Sequence, residues 1–282
     1  MWLVQSVSVF PIPYALMEFP MAKWTALSRT QHGESRYLPR HGYGFAAEQP
    51  VVPILLAELN KLLAHHALGF IKQDESYQPV ALLGLDGRHN LYVHPDGRWL
   101  GGYVPAGLRG YPFTLAATED GQQVLCVDSA HLQAPDEDGE PLFNDDGELS
   151  ETVDRTLAFL QQCERNRQVT RAAARALGDS GLIEPWPLQV GRGDDQAPLE
   201  VQGLYRINET ALNALEAEAF AALRAHGALP LAYAQLFSMG QLNQLTERAR
   251  FHQQLQAQQA PREPVESFFG EDDDELTFDF GD

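Results

Sequence analysis

Residues 79–128 read PVALLGLDGRHNLYVHPDGRWLGGYVPAGLRGYPFTLAATEDGQQVLCVD. Short apolar runs, PVALLGL, NLYVH, WLGGYV, FTLAA and VLCVD, are cut every few residues by Gly, Pro and Asp, the texture of strands joined by turns. HPDG at 94–97 is a hairpin-turn signal. Leu91, Val93, Trp99, Tyr103, Val104 and Phe113 fall where a meander would place its core positions.

Helical patterns lie on either side of this block. Upstream, Pro53 suits a first helical position, Leu55, Leu59, Leu62 and Leu63 share one face, and Gly69 is placed to close the end. Downstream, after the acidic run DEDGEPLFNDDGE, Ser150 is placed to cap a helix carrying Val153, Leu157 and Leu160, and Thr170 to cap a second that stops at Gly178. WPLQV at 186–190 and EVQGLYRI at 200–207 read as further strands. Asn208 then precedes a helix with Leu212, Leu215, Ala219 and Leu223 on one side, and a last helix carries Leu242, Leu245, Ala249 and His252. Strands cluster in the middle without regular βαβ alternation, so the expected fold is α+β, a central mainly antiparallel sheet flanked by helices. The expected organisation is one globular domain over 1–259 and a disordered acidic tail over 260–282.

The chain has 282 residues with 39 acids against 20 Lys and Arg, a net charge of −19. That balance argues against a nucleic-acid surface, which needs a basic stripe to neutralise phosphates, and against anionic membrane binding. The first 17 residues are apolar, but they lack a basic leading region and are interrupted by Pro11 and Pro13, unlike a secretory leader. No run is long enough to span a bilayer, so membrane insertion is not expected. Two cysteines, Cys126 and Cys163, make no disulfide framework and suit a reducing compartment; a cytoplasmic location is expected.

The motifs of common chemistries are missing. HExxH and CxxC do not occur, His89 and His94 are five apart on an expected strand, and His65 and His66 point in different directions on an expected helix. Aligning Gly139 or Gly147 to the glycine of a calcium loop puts Ala134 or Leu142 at the first ligand position, so the acidic run reads as a solvated loop. There is no GxSxG elbow, no dinucleotide glycine pattern and no phosphate loop, and Cys126 between Leu125 and Val127 reads as a buried strand thiol. No metal and no cofactor are expected.

Two segments carry binding candidates. Trp99, Tyr103, Arg109 and Tyr111 are of the residue types that dominate binding hot spots, and together on a surface they would recognise a protein or peptide; the competing reading makes the aromatics core and pairs Arg109 with an internal acid such as Asp128. In the tail, Phe268, Phe269, Phe278 and Phe280 punctuate a segment with nine acids and one base, a composition suited to docking on a partner.

The stretch also resembles the SapC family of bacterial proteins, named for a link to surface-layer protein secretion and distinct from the peptide-transporter permease that shares the label. The carrying residues are Gly84, HNLYV at 89–93, DGRW at 96–99, YVPAGLRGYPF at 103–113, LCVD at 125–128, LFNDDGE at 142–148 and EVQGLYRINE at 200–209. Gly110 stands where the family pattern carries a second arginine, so no role for paired arginines carries over. The resemblance implies no catalytic residues. It implies an accessory or adaptor role in surface-protein secretion or outer-membrane-receptor-linked uptake. The alternative is an enzyme modifying a peptide or amino acid, with Arg109 holding a carboxylate and His89 and a second titratable group beside it.

Overall fold

The structure, a computed structural model, describes residues 23–118, 121–190 and 199–259. The acidic segment 260–282, with its four candidate phenylalanines, lies outside the described residues, as does the apolar stretch before Lys23. The fold is α+β, with antiparallel sheets flanked by helices. Its largest sheet has five strands in the order Ile183–Pro185, Leu204–Ile207, Leu68–Gln73, Ser76–Leu82 and Val51–Pro53. A three-stranded sheet orders Trp24–Ala26, Gln123–Asp128 and Phe113–Ala117. A small one places Arg36–Tyr37 between Leu132–Gln133 and Glu140–Pro141, and Leu188–Val190 pairs with Leu199–Val201.

At the centre of the large sheet, Leu68–Gln73 and Ser76–Leu82 pair from Leu68↔Ala81 to Gln73↔Ser76. Only Asp74 and Glu75 separate the strands, and Asp74 takes φ +52°, a left-handed conformation that Asp tolerates better than most residues. The helix Ala228–Ser238 packs on Leu68–Gln73 and Leu204–Ile207. Its buried polar residues complete backbone bonding there: Gln235 accepts from Ile207 N at 2.9 Å, and Ser238 Oγ accepts from Leu68 N at 2.8 Å. Alongside it, Glu151–Asp179 packs against Ser76–Leu82 and against Ala228–Ser238 itself, and its Ala173, Ala174 and Leu177 are fully buried. Alanines allow the close approach, and Leu177 adds roughly 1.5–3 kcal/mol by leaving water.

Several expectations need correction. Pro53 does not start a helix. It ends an edge strand, where its missing N–H costs no ladder bond, and helical turns cover only Leu56–Glu58 and Leu59–Leu62. Gly69 sits inside a strand because a Cβ there would lie 3.2 Å from the Trp186 ring and 3.3 Å from Tyr205 O. Thr170 caps nothing. One helix runs through Glu151–Asp179, and buried Thr170 donates its hydroxyl to Asn166 O at 2.8 Å while accepting from Leu56 N at 3.0 Å.

NLYVH and WLGGYV are not meander strands, since only the bridge Val93↔Trp99 forms. The backbone there is bonded instead by Asn90, whose side chain donates to Ala46 O and accepts from Tyr92 N. The turn at 94–97 does form, closed by Gly97 N donating to His94 O with Gly97 at φ +87°. The acidic run is not wholly a solvated loop: Glu140–Pro141 pairs with Arg36–Tyr37, and Leu142 is fully buried.

Asn208 caps as expected, accepting from Ala211 N at 2.9 Å, but its helix breaks into Glu209–Asn213 and Ala217–Ala225. The final helix, Leu242–Gln259, begins with Leu242 as read.

Candidate functional site

The site grows from a carboxylate that sequence reading passed over. Glu58 closes the short turn Leu56–Glu58 and is 4% exposed. Three donors converge on it: Leu55 N at 3.0 Å on Oε1, and the Tyr103 hydroxyl at 2.9 Å and Ala106 N at 2.8 Å on Oε2. Glu58 therefore ties the helical turn to the segment 103–106, satisfying a buried acid with hydrogen bonds as burial requires. Burial pushes its carboxyl above the ordinary range, while these bonds and the nearby Arg109 guanidinium pull it back.

Arg109 ends the short helix Ala106–Arg109 and is exposed. Its guanidinium carbon lies 5.6 Å from the Tyr103 ring centre and 4.9 Å from that of Phe159, and Nη2 donates to the Tyr103 hydroxyl at 3.3 Å. Among the described residues it makes no ion pair. Lys61 Nζ approaches the same Tyr103 ring at 5.8 Å, so two cations flank one phenol. Burial, then the Glu58 charge, pushes the Tyr103 phenol well above its usual range, so it stays protonated as the bridge between Glu58 and Arg109. Cys163 packs beside Leu55, Ala106 and Phe159, and burial pushes its thiol up, which keeps it a thiol.

Trp99 joins this group through the Tyr103 backbone. Its indole N–H donates to Tyr103 O at 3.0 Å, and the same carbonyl lies 3.1 Å from Nε2 of the buried His66. Trp99 stacks on Tyr92 with ring centres 5.3 Å apart, and Arg248 lies over Tyr92 at 4.2 Å. The glycines of WLGGYV serve this packing: a Cβ on Gly102 would lie 2.5 Å from the His65 ring.

Trp99, Tyr103 and Arg109 thus come together. Tyr111 stands at the far end of a row of rings running through Phe45 and Tyr43 to Trp99. It stacks on Phe45 at 3.9 Å and donates its hydroxyl to Asp128 at 2.6 Å. Asp128 is therefore the partner of Tyr111, and Arg109 turns to Tyr103 instead. Tyr43, Phe45, Trp99, Tyr103 and Tyr111 are all half-buried.

His89 pairs with Asp86 on an exposed turn, Nδ1 to Oδ2 at 2.5 Å, and among the described residues makes no hydrogen bond to the Arg109 group. The titratable group beside Arg109 is Glu58. Its sequence signal was its place between Leu55, Leu59 and Leu62, where an apolar stripe would put another apolar residue. Gly110 is buried against the long helix, with a Cβ position 2.6 Å from Leu160 Cδ2, so any side chain at that position must displace Leu160. Among the described residues no three His, Cys, Asp or Glu side chains gather to hold a metal ion. No described helix is long and apolar enough to cross a membrane.

A family model described as SapC matches residues 27–245, which takes in the whole Glu58–Tyr103–Arg109 group. No curated protein and no solved structure matches the chain.

Proposed function

The chain belongs to the SapC family, and from the site built on that fold we propose that it is an accessory or adaptor protein that binds a protein or peptide partner through a carboxylate. The observation that carries this reading is Arg109: an exposed guanidinium held over two rings, bonded to one hydroxyl, and without an ion-pair partner among the described residues. An arginine fixed in this way loses little further freedom on binding, and its remaining donors suit the two oxygens of a carboxylate. The half-buried Trp99 and Tyr103 supply apolar surface beside it. Surface-protein secretion or receptor-linked uptake is the setting that the family resemblance implies, and the cytoplasm is the compartment in which two unpaired thiols fit.

Affinity capture from the protein's own cells tests this with wild type, Arg109→Ala and Arg109→Lys, each checked by thermal melting. Loss of the same partner from both variants at near-normal melting supports the reading. Equal capture by all three refutes it.

The enzyme reading keeps one supporting observation, the buried Glu58 beside Tyr103 and Arg109, a carboxyl shifted by its surroundings as groups at reactive sites are. Turnover of a captured peptide that is lost in Glu58→Gln would favour it over simple binding.

A further inference from the structure

A second charged surface lies on the outer face of the long helix Glu151–Asp179. Arg165, Gln168, Arg171, Ala172 and Arg175 are all exposed, and their spacing places them within one sector of the helix. Arg165 donates to Gln162, but among the described residues Arg171 and Arg175 have no ion pair or side-chain hydrogen bond. The stripe runs between two shallow depressions, one bordered by Gln123, Gln161 and Glu164, the other by Lys72, Glu75 and Asp179. Glu164 is held by Arg167, and Glu75 and Asp179, which border the Arg175 end, make no ion pair with the stripe among the described residues. A basic stripe is unexpected on a chain of net charge −19.

We infer that this arginine face is the docking surface for the chain's own acidic segment, residues 260–282. The first argument is charge: Glu271, Asp272, Asp273, Asp274 and Glu275 are consecutive. The second is length. Arg165 to Arg175 spans about 15 Å of helix at 1.5 Å per residue, and five extended residues span about 16 Å. The third is reach. The helix Leu242–Gln259 ends 12 residues before Glu271, and that connection extends to about 40 Å, about twice the radius of gyration expected for a compact chain of this size. Tethering raises the local concentration of the segment to the millimolar range, so weak ion pairs suffice to hold it. Docked, the segment covers the stripe and must be displaced by any acidic partner that uses the same face.

The test uses the full chain carrying Arg165→Lys, Arg171→Lys and Arg175→Lys, which keeps the charge and supplies amines for zero-length carbodiimide coupling to carboxylates. Equal amounts of nitrogen-15-labelled and unlabelled chains are mixed, coupled, digested and read by mass spectrometry. The expected result is coupling of position 171 or 175 to 271–275 in peptides of uniform label, at least tenfold above coupling of the native Lys23 and Lys61 to the same acids, and lost when the Debye length falls from about 10 Å at 0.1 M salt to about 3 Å at 1 M. Coupling no greater than that of Lys23 and Lys61 overturns the inference. Coupling found mainly in mixed-label pairs also overturns it, by showing that the segment docks on a second copy.

Discussion

Lowering the pH from 7.5 to 5 should destabilise the protein through His66 in particular. The ring is fully buried, and burial, with the charges of His65 and Arg248 adding to it, lowers its pKa from 6.5 to about 4, against the bond to Tyr103 O that favours the charged form. In the unfolded chain the ordinary value returns, so between these two values the unfolded state binds more protons. The stability contribution is therefore present above about 6.5 and lost as pH falls toward 4. A shift of this size is worth about 3 kcal/mol in full, of which about 2 kcal/mol is lost by pH 5.

His66→Phe isolates the effect. Phe keeps the tilted ring contact with Tyr92, whose ring centre lies 4.6 Å away, and Trp99 still donates to Tyr103 O. His66 Nδ1 has no partner to lose. The variant should lie within about 1 kcal/mol of wild type at pH 7.5, the ordinary net worth of one hydrogen bond. In urea unfolding at pH 7.5 and 5.0, wild type should lose about 2 kcal/mol more than the variant across that range. Equal losses would refute the placement of His66 as a buried neutral base.

Three further outcomes follow from packing and bonding. Gly84→Ala should cost about 3 kcal/mol or more, because its Cβ would lie 1.8 Å from the backbone oxygen of His89, which urea unfolding will register as a lower midpoint. Thr170→Val leaves the Leu56 N–H without its acceptor and should cost about 1–3 kcal/mol, whereas Thr170→Ser should recover most of the loss. Glu58→Gln turns an amide N–H₂ toward groups that donate to Glu58 and should lower the melting temperature by several degrees at neutral pH, with a smaller difference in acid, where Glu58 itself becomes protonated.

Much of the fold was legible where a local signal and tertiary packing agree. FTLAA and VLCVD became paired strands, Asn208 capped its helix, and the Gly97 turn formed where HPDG announced it. Reading failed where distant contacts decide the backbone. Thr170 looks like a cap until Leu56, far away in sequence, supplies an N–H for its hydroxyl in mid-helix. The helix Ala228–Ser238 was missed because its alanines and buried Gln235 and Ser238 give no amphipathic stripe, their burial being set by the two strands beneath.

The candidate site was half legible. Trp99, Tyr103 and Arg109 were chosen by residue type alone, but Glu58, which holds Tyr103 in place for Arg109, carried no motif and is recognised only through its donors. Tyr111 was grouped with them by proximity in sequence, while its hydroxyl is committed to Asp128.

The most direct test of the binding proposal is a double-mutant cycle on the captured partner's peptide. Dissociation constants are measured for the peptide with its carboxylate intact and with that group as a carboxamide, each against wild type and Arg109→Ala. The account predicts a coupling energy of about 1.5–3 kcal/mol, the range of a hydrogen bond to a charged group, and so a loss of roughly tenfold or more on removing the carboxylate from wild type only. Equal losses in wild type and Arg109→Ala, with no coupling, would contradict Arg109 as the carboxylate-binding residue.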